Sequence, residues 1–445
     1  MRIMTKSPSR SLFVLALAVI LTGLVAGISG MLLAMLLHAI QHLFFGYSLP
    51  HIISQESFLQ GVTAASPLRR AGVLMFCGLV AGGGWWLLYR HARPLVSIAR
   101  ALASAKPAMP VAATLIHALL QITTVALGSP LGREVAPREV GAMSAGRLAR
   151  ILGLGDADTR ILMACGAGAG LAAVYNVPLG GALFVLEVLM GTFSFTVMIP
   201  ALACCAIAAM VAWAGLGNET QYHLPALAVT PALLVWSLLA GPLFGLAAYG
   251  FSRLTRSARD RAPRNALLPV LCLLNFTVIG LLAATFPALL GNGKGPAQLS
   301  FGNHLLMATA ATLLVLKIAA IWGSLRAGAQ GGLLTPGLTC GALLACLLGG
   351  AWNHLWPGTA PGAFAVIGAG AFLAASMTMP LTAIVLIFEF TDLTLNFLPP
   401  MIVAVTGAMC LFKFCQSRAA PRGSEGSAPV RNDTASAGDG APEQP

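Results

Sequence analysis

The scarcity of charged residues is the feature that most restricts what this chain can fold into. Only 9% of its 445 residues are Asp, Glu, Lys or Arg, whereas 57% are hydrophobic. A soluble protein carries about a quarter of its residues as charged groups, which keep its surface solvated. This chain must therefore expose much of its surface to lipid, which predicts an integral membrane protein.

Long apolar segments recur along the chain and indicate the type of element that crosses the bilayer. A spanning helix needs roughly 20 mostly apolar residues, and segments such as 195–216 and 231–249 approach or meet that length. Other apolar runs are shorter or are broken by Gly and Pro. We predict an all-α polytopic fold with about ten to fourteen membrane helices of unequal length.

The charges are concentrated in loops and at the two ends of the chain. Arg2, Lys6 and Arg10 flank the first apolar segment, and positive residues favour the cytoplasmic side. Residues 1–11 are therefore predicted to be a cytoplasmic N-terminus of a multi-pass protein in the inner or plasma membrane. Residues 417–445 contain few large apolar side chains, which predicts a disordered tail.

The formal net charge of +12 could indicate a nucleic-acid partner, but attraction to anionic lipid headgroups explains basic ends without one. The nine cysteines are scattered through apolar segments and form no metal-ligand spacing. The sequence also contains no phosphate-binding loop or dinucleotide fingerprint. We therefore expect neither nucleic acid nor a metal or other cofactor.

An internal repeat divides the chain into two related halves. Segment 166–189 aligns without gaps with segment 368–391, and a second alignment pairs segment 128–142 with segment 328–342. Corresponding segments broken by Gly and Pro are typical of transporters built from structural repeats, whose ion site lies between broken helices near the midplane. We place the repeats at about 12–215 and 232–416. Inverted orientation is the commoner arrangement, although the sequence alone does not fix it.

The segment GSPLGREVAPREVGA, residues 128–142, contains four ionisable side chains between two apolar segments. Ionisable residues at membrane depth are costly and tend to line ion pathways. Gly132 gives the backbone conformational freedom, and Pro137 is tolerated in the first turn of a helix. The pattern predicts extended backbone that enters a helix near Val135, whose unpaired N–H groups and positive dipole end favour an anion.

A polar loop at the membrane surface is the alternative for this segment. Arg133, Glu134, Arg138 and Glu139 would then be ordinary charged neighbours in contact with water. The second copy of the break, GGLLTP at 331–336, has no charged residue, so contact with water does not explain it. Two broken helix starts that face one point give a better account of both copies.

Four motifs resemble those of the CLC family of voltage-gated chloride channels and chloride/proton antiporters. GREVAP resembles the family's GREGP, GGLLTP resembles GGIFAP, AVYNVPLGGALFVLE resembles AAFNAPLAGILFIIE, and ASMTMPLTAIVLIFEFTD resembles ASIRAPLTGIILVLEMTD. They occur in the family's order and spacing. The resemblance implies a CLC-type membrane domain at 12–416, with two inverted-topology repeats of tilted, broken helices. It also implies a homodimer with one pore per subunit and chloride or another small inorganic anion as the transported ion.

The resemblance also assigns roles to individual residues. Glu134 corresponds to the gating glutamate, whose carboxylate competes with the anion for the pathway. Glu187 and Glu389 correspond to structural acidic positions, where buried and hydrogen-bonded carboxylates are the simplest interpretation. The backbone amides that correspond to the anion-binding ones belong to Gly132, Arg133, Val135, Leu333 and Leu334.

Three departures from the family pattern bear on function. Family spacing places the selectivity motif on Ala92, Arg93 and Pro94, with Arg93 in the place of the selectivity serine. Val188 replaces the proton-transfer glutamate of the antiporters, and an apolar side chain cannot relay a proton. The tail contains no tyrosine to supply the family's gate residue, so an intracellular gate must be absent or differently built.

These departures predict passive or weakly coupled transport of chloride or a similar small anion. A chloride/proton antiporter is the first alternative, and an unrelated secondary transporter of an organic solute is the second. An enzyme is disfavoured because no cluster of catalytic residue types is present.

Overall fold

The computed structural model describes residues 8–49, 53–54 and 56–419. Those residues form 17 α-helices and no β-strand, which confirms the predicted all-α fold. The helices are α1 Pro8–Phe45, α2 Phe58–Ala64, α3 Pro67–His91, α4 Ile98–Ala103, α5 Val111–Ala126, α6 Val135–Ile151, α7 Asp156–Tyr175, α8 Pro178–Phe184, α9 Phe195–Leu216, α10 Pro231–Asp260, α11 Leu267–Thr285, α12 Lys294–Phe301, α13 Met307–Ala327, α14 Leu334–Leu355, α15 Pro361–Met377, α16 Pro380–Thr391 and α17 Leu398–Ala419.

Nine helices within the described ranges are long and apolar enough to cross a membrane, and four apolar helices of 10–17 residues accompany them. Many large hydrophobic side chains on these helices are exposed, such as Phe195 at 72% and Leu281 at 62%. Lipid solvates such side chains, whereas water would not. The chain is therefore a multi-pass integral membrane protein.

The predicted terminal regions are only partly described. Residues 1–7 and 420–445 lie outside the described residues, so the cytoplasmic N-terminus and most of the proposed tail stay predictions. Helix α1 already begins at Pro8, and α17 continues to Ala419. Residues 417–419, predicted to belong to the tail, instead continue the last helix.

The chain divides into two compact units. The first comprises Met1–Ala34, Arg93–Ala118 and Ala136–Glu219, and α7 packs there against α8 and α9. The second comprises Met35–Ala92, Leu119–Val135 and Thr220–Pro445, and its main packed pairs are α3 with α11, α10 with α17, and α14 with α15. Parts of the first sequence repeat thus belong to the second unit.

Glycines bring helices of the second unit into close contact. A Cβ added at Gly78 of α3 would lie 2.8 Å from the Cα of Leu273 in α11, and one at Gly82 would lie 2.5 Å from the Cα of Pro269. Small residues at helix interfaces are the usual means of close packing in membranes, where van der Waals contact drives association.

Residues that are equivalent in the two sequence repeats make equivalent contacts. Within the first unit, a Cβ at Gly141 would overlap the carbonyl oxygen of Gly166, and within the second unit a Cβ at Gly341 would overlap that of Gly368. Gly128 and Gly328 both have a φ of 104°, a conformation that suits glycine. The sequence repeat therefore corresponds to a repeat of backbone conformation and packing.

Candidate functional site

The two broken segments of the repeats meet in the second unit. Gly132 and Gly332 form an isolated antiparallel β-bridge, in which the Gly132 N–H donates to the Gly332 carbonyl at 2.7 Å and the Gly332 N–H donates to the Gly132 carbonyl at 2.9 Å. Equivalent residues of two inverted repeats would pair in this reciprocal way. The helices that follow begin at Val135 and Leu334, as the Gly and Pro positions predict.

The carboxylate of Glu134 lies at the second break. Glu134 is completely buried, and its Oε1 atom accepts a hydrogen bond of 2.8 Å from the backbone N–H of Leu334. That N–H belongs to the first residue of α14, where a helix offers unpaired donors and the positive end of its dipole. A negatively charged oxygen thus occupies a position suited to an anion.

The glycines of the bridge provide the room that this carboxylate needs. A Cβ added at Gly132 or Gly332 would overlap the carboxylate oxygens of Glu134. No larger residue can therefore occupy either position while the carboxylate stays where it is. This requirement explains why both repeats have glycine at the bridged position.

Two arginines of the second unit lie around the break. Arg259, near the end of α10, donates through Nη2 to the Gly331 carbonyl at 3.0 Å and interacts electrostatically with Glu134. Arg133 is only 7% exposed, and its Nη2 lies 3.4 Å from Oε1 of Gln221. The buried carboxylate therefore lies in a positively charged environment.

The remaining charges of the signature segment are also buried. Arg138 is 1% exposed and Glu139 is 4% exposed. The guanidinium of Arg138 lies 4.5 Å from the centre of the Phe184 ring, and Glu139 Oε2 lies 3.7 Å from Nε2 of His117. A polar loop at the membrane surface is therefore excluded, because none of these side chains faces water.

The predicted anion-binding amides differ in their roles. The Leu334 N–H is directed at the carboxylate, whereas the Gly132 N–H donates to the bridge. We therefore correct the expectation that the Gly132 N–H binds the anion. That N–H already donates to the Gly332 carbonyl, and the missing side chain of Gly132 instead leaves room for the Glu134 carboxylate. The N–H groups of Arg133, Val135 and Leu333 stay candidates for an anion.

The predicted selectivity positions lie between α3 and α4. Ala92 caps the C-terminus of α3, and the side chains of Arg93 and Pro94 are exposed. Four residues after Arg93, the buried Ser97 caps the N-terminus of α4 and accepts a hydrogen bond from the Arg100 N–H. No contact of these side chains shows or excludes a role in anion selectivity, so the assignment of Ala92, Arg93 and Pro94 stays a prediction.

The acidic positions of the paired helices are half-buried. Glu187 and Val188 lie in a π-helical turn, Val185–Met190, that continues α8, whereas Glu389 lies in the regular helix α16. Buried carboxylates were expected at both positions, and the structure shows side chains that are only partly buried. π-Helical turns are often found at functional sites, and the equivalent segment of the second repeat has none.

Sequence reasoning missed the basic residues that other elements bring into the second unit. Lys317 in α13 is 1% exposed and donates to the carbonyls of Leu289, at 3.0 Å, and of Gly291. Arg259, which donates to the Gly331 carbonyl, was missed as well. The only available signal for Lys317 was an isolated charge within an apolar run. In the part of the chain that the structure covers, no group of three metal-ligating side chains is present.

An all-helical, lipid-exposed chain with two paired helix breaks has the architecture of polytopic membrane transport proteins. The model of the family described as "Voltage gated chloride channel" matches residues 77–413. The chain therefore belongs to the CLC family of chloride transport proteins, as its motifs predict.

Curated relatives have names of two kinds. A "Putative chloride channel protein ClcB-like" of Ralstonia nicotianae is 33% identical over 305 residues, which are 66% of this chain and 70% of that protein. An "H(+)/Cl(-) exchange transporter ClcA" of Cronobacter sakazakii is 32% identical over 65% of this chain and 64% of its own length. A "Voltage-gated ClC-type chloride channel ClcB" of Citrobacter koseri is 27% identical over 80% of this chain and 87% of its own.

Solved structures support the fold. A slow cyanobacterial Cl-/H+ antiporter has a TM-score of 0.76 at 22% identity and matches 90% of this chain and 95% of its own. A CLC-type fluoride/proton antiporter has a TM-score of 0.64 at 19% identity, over 92% of this chain and 97% of its own. At these identities the likeness establishes the CLC fold.

Proposed function

We propose that this protein exchanges chloride or a similar small anion for protons across the membrane, with Glu134 as the gate. The observation that carries the proposal is the buried Glu134 carboxylate, which accepts the hydrogen bond of the Leu334 N–H. A carboxylate in that position excludes an anion, and it can also carry a proton. Exchange is supported by the ClcA relative, named an exchange transporter, and by the two antiporters whose fold this chain shares.

The geometry suggests how the gate works. Ionised Glu134 is held by a charge-assisted hydrogen bond and by the electrostatic attraction of Arg259, and such bonds are stronger than neutral ones. A proton on the carboxylate removes the charge and weakens both interactions. The neutral side chain then leaves its position, and an anion takes the vacated site, with the N–H groups of Arg133, Val135, Leu333 and Leu334 as its donors.

Passive or weakly coupled transport is the second candidate. The observation that favours it is Val188, a half-buried apolar residue where the antiporter motif has a proton-transfer glutamate. Without a titratable group at that position, protons need another route to Glu134. The two ClcB relatives, whose names describe chloride channels, agree with this candidate.

Simultaneous recording of chloride and proton movement distinguishes the two candidates. Purified protein in liposomes with a tenfold outward chloride gradient should drive protons uphill at a fixed chloride-to-proton ratio. Chloride efflux without uphill proton movement would replace exchange by passive transport. Absence of any anion flux, with efflux of a neutral organic solute, would contradict anion transport altogether.

The assembly and location proposed here rest on the resemblance to the CLC family. We infer a homodimer in the inner or plasma membrane, with a complete pathway in each subunit. Light scattering of the purified protein in detergent measures the subunit number. A monomer in lipid nanodiscs that retains full anion binding would contradict the dimer.

A further inference from the structure

We propose that Arg259 binds the transported anion, so that its guanidinium is part of the anion site and not merely a support for the backbone. The inference rests on the proposed anion transport and adds a side-chain donor to the backbone amides. It assigns a function to the C-terminal end of α10, which the four signature motifs do not include.

The position of Arg259 is fixed by the break itself. Its Nη2 donates to the carbonyl of Gly331 at 3.0 Å, and Gly331 directly precedes Gly332, which forms the bridge to Gly132. The guanidinium is therefore attached to the same backbone segment that leads to the Leu334 N–H. A cation held in this way stays beside the site when the Glu134 side chain moves.

The electrostatic environment of Arg259 connects it to the site. Two carboxylates, Glu134 and Asp260, interact with its guanidinium. Asp260 is its sequence neighbour and is exposed, whereas Glu134 is completely buried. A monovalent anion that replaces the Glu134 carboxylate carries the same charge in the same low-dielectric surroundings. The attraction that stabilises the carboxylate therefore also stabilises that anion.

One N–H donor of the Arg259 guanidinium is also unused. Its Nε atom is buried and has no hydrogen-bond acceptor among the described residues. Buried donors are nearly always paired in native proteins, and an unpaired one requires an explanation such as an unoccupied ligand position. Arginine offers five N–H donors in a fixed planar arrangement. A bound anion would accept from the unused donor.

The test measures chloride binding and flux in Arg259→Gln and Arg259→Lys, each made with Glu134 intact and in a Glu134→Gln background. Arg259→Gln should weaken chloride binding by about tenfold, measured by isothermal titration calorimetry, and should raise the half-saturating chloride concentration in liposome flux equally. Arg259→Lys retains the charge and should weaken binding by about threefold. The losses should persist with Glu134→Gln, because the donor acts on the anion directly.

Arg253→Gln is the matched control, since Arg253 is an exposed arginine on the same helix and its removal changes the net charge equally. It should leave chloride affinity unchanged.

Chloride flux with wild-type affinity in Arg259→Gln would overturn the inference and leave the proposed function intact. An Arg259→Gln effect that disappears with Glu134→Gln would also overturn it, because Arg259 would then act only by positioning the carboxylate. If Arg259→Gln does not fold, wild-type chloride affinity in both Arg259→Lys and Arg259→Met would overturn the inference.

Discussion

At the scale of single residues, the proposed gate is the buried Glu134 carboxylate. We predict that Glu134→Gln makes anion flux independent of pH, because the amide cannot change charge and cannot compete electrostatically with an anion. Wild-type flux should rise severalfold as the solution is acidified, because a proton on the carboxylate removes the charge that the Leu334 N–H stabilises. The measurement is chloride efflux from liposomes at a series of pH values.

Glu219→Gln provides the control, because Glu219 is an exposed carboxylate whose loss should leave the pH profile unchanged. A pH profile of Glu134→Gln that coincides with that of the wild type would remove Glu134 from the gate.

The bridged glycines offer a second residue-scale prediction. In Gly332→Ala, the added methyl group would overlap Oε1 of Glu134 and would occupy space that the carboxylate shares with the anion. Chloride affinity should fall by at least about tenfold, which corresponds to about 1.4 kcal/mol. Gly250→Ala is the matched control, since nothing lies within 4 Å of a Cβ at that position. Equal chloride affinity in the two variants would show that the glycine does not define the site.

Sequence predicted some of these residues and not others for a physical reason. Glu134 was found because its motif is local, with the glycine, the acid and the helix start inside six residues. Arg259 was not found, because several basic residues cluster around the end of α10 and only the tertiary contact with Gly331 separates it from them. Arg93 was placed by counting, and because its side chain is exposed without a contact that defines its role, its place in selectivity stays a prediction.

At the scale of elements, the helix starts at Val135 and Leu334 follow from local rules, because glycine releases the backbone and proline is favoured in the first turn of a helix. Less predictable was the π-helical turn at Val185–Met190, since the equivalent Glu389 lies in a regular helix. The two segments share their acidic residue and their apolar character, so neither propensity nor periodicity predicts that only one of them forms a π-helical turn.

The segment between α13 and the bridged Gly332 gives a prediction at the scale of elements. Gly328 has a φ of 104°, and a Cβ there would lie 3.0 Å from Cγ of Leu268. Gly328→Ala should destabilise the protein by about 1–3 kcal/mol, the usual cost of a side chain in this backbone region. Thermal unfolding in detergent should show a Tm lower by several degrees, whereas Gly83→Ala, at an open helical position, should not. An unchanged Tm in Gly328→Ala would show that the connection adapts freely.

At the scale of the whole molecule, composition and the internal repeat predicted the membrane class and the fold. They could not predict the division into two units, because α3 belongs to the first sequence repeat but packs in the second unit against α11. Contacts such as that of Gly82 with Pro269 join residues far apart in sequence. Periodicity shows which face of a helix is buried but not which helix covers it.

The site residues all come from one chain, which leads to the last prediction. Gly132, Glu134, Arg259, Gly332 and Leu334 form their contacts within a single subunit, so each subunit of a dimer should transport independently. A tandem dimer that joins one wild-type and one Glu134→Gln subunit should show flux midway between the two parent dimers at every pH. Two parallel pathways contribute additively, so half of the pH-dependent component should persist. Flux equal to that of either parent would mean that the subunits share one gate, and the single-chain site would then be incomplete.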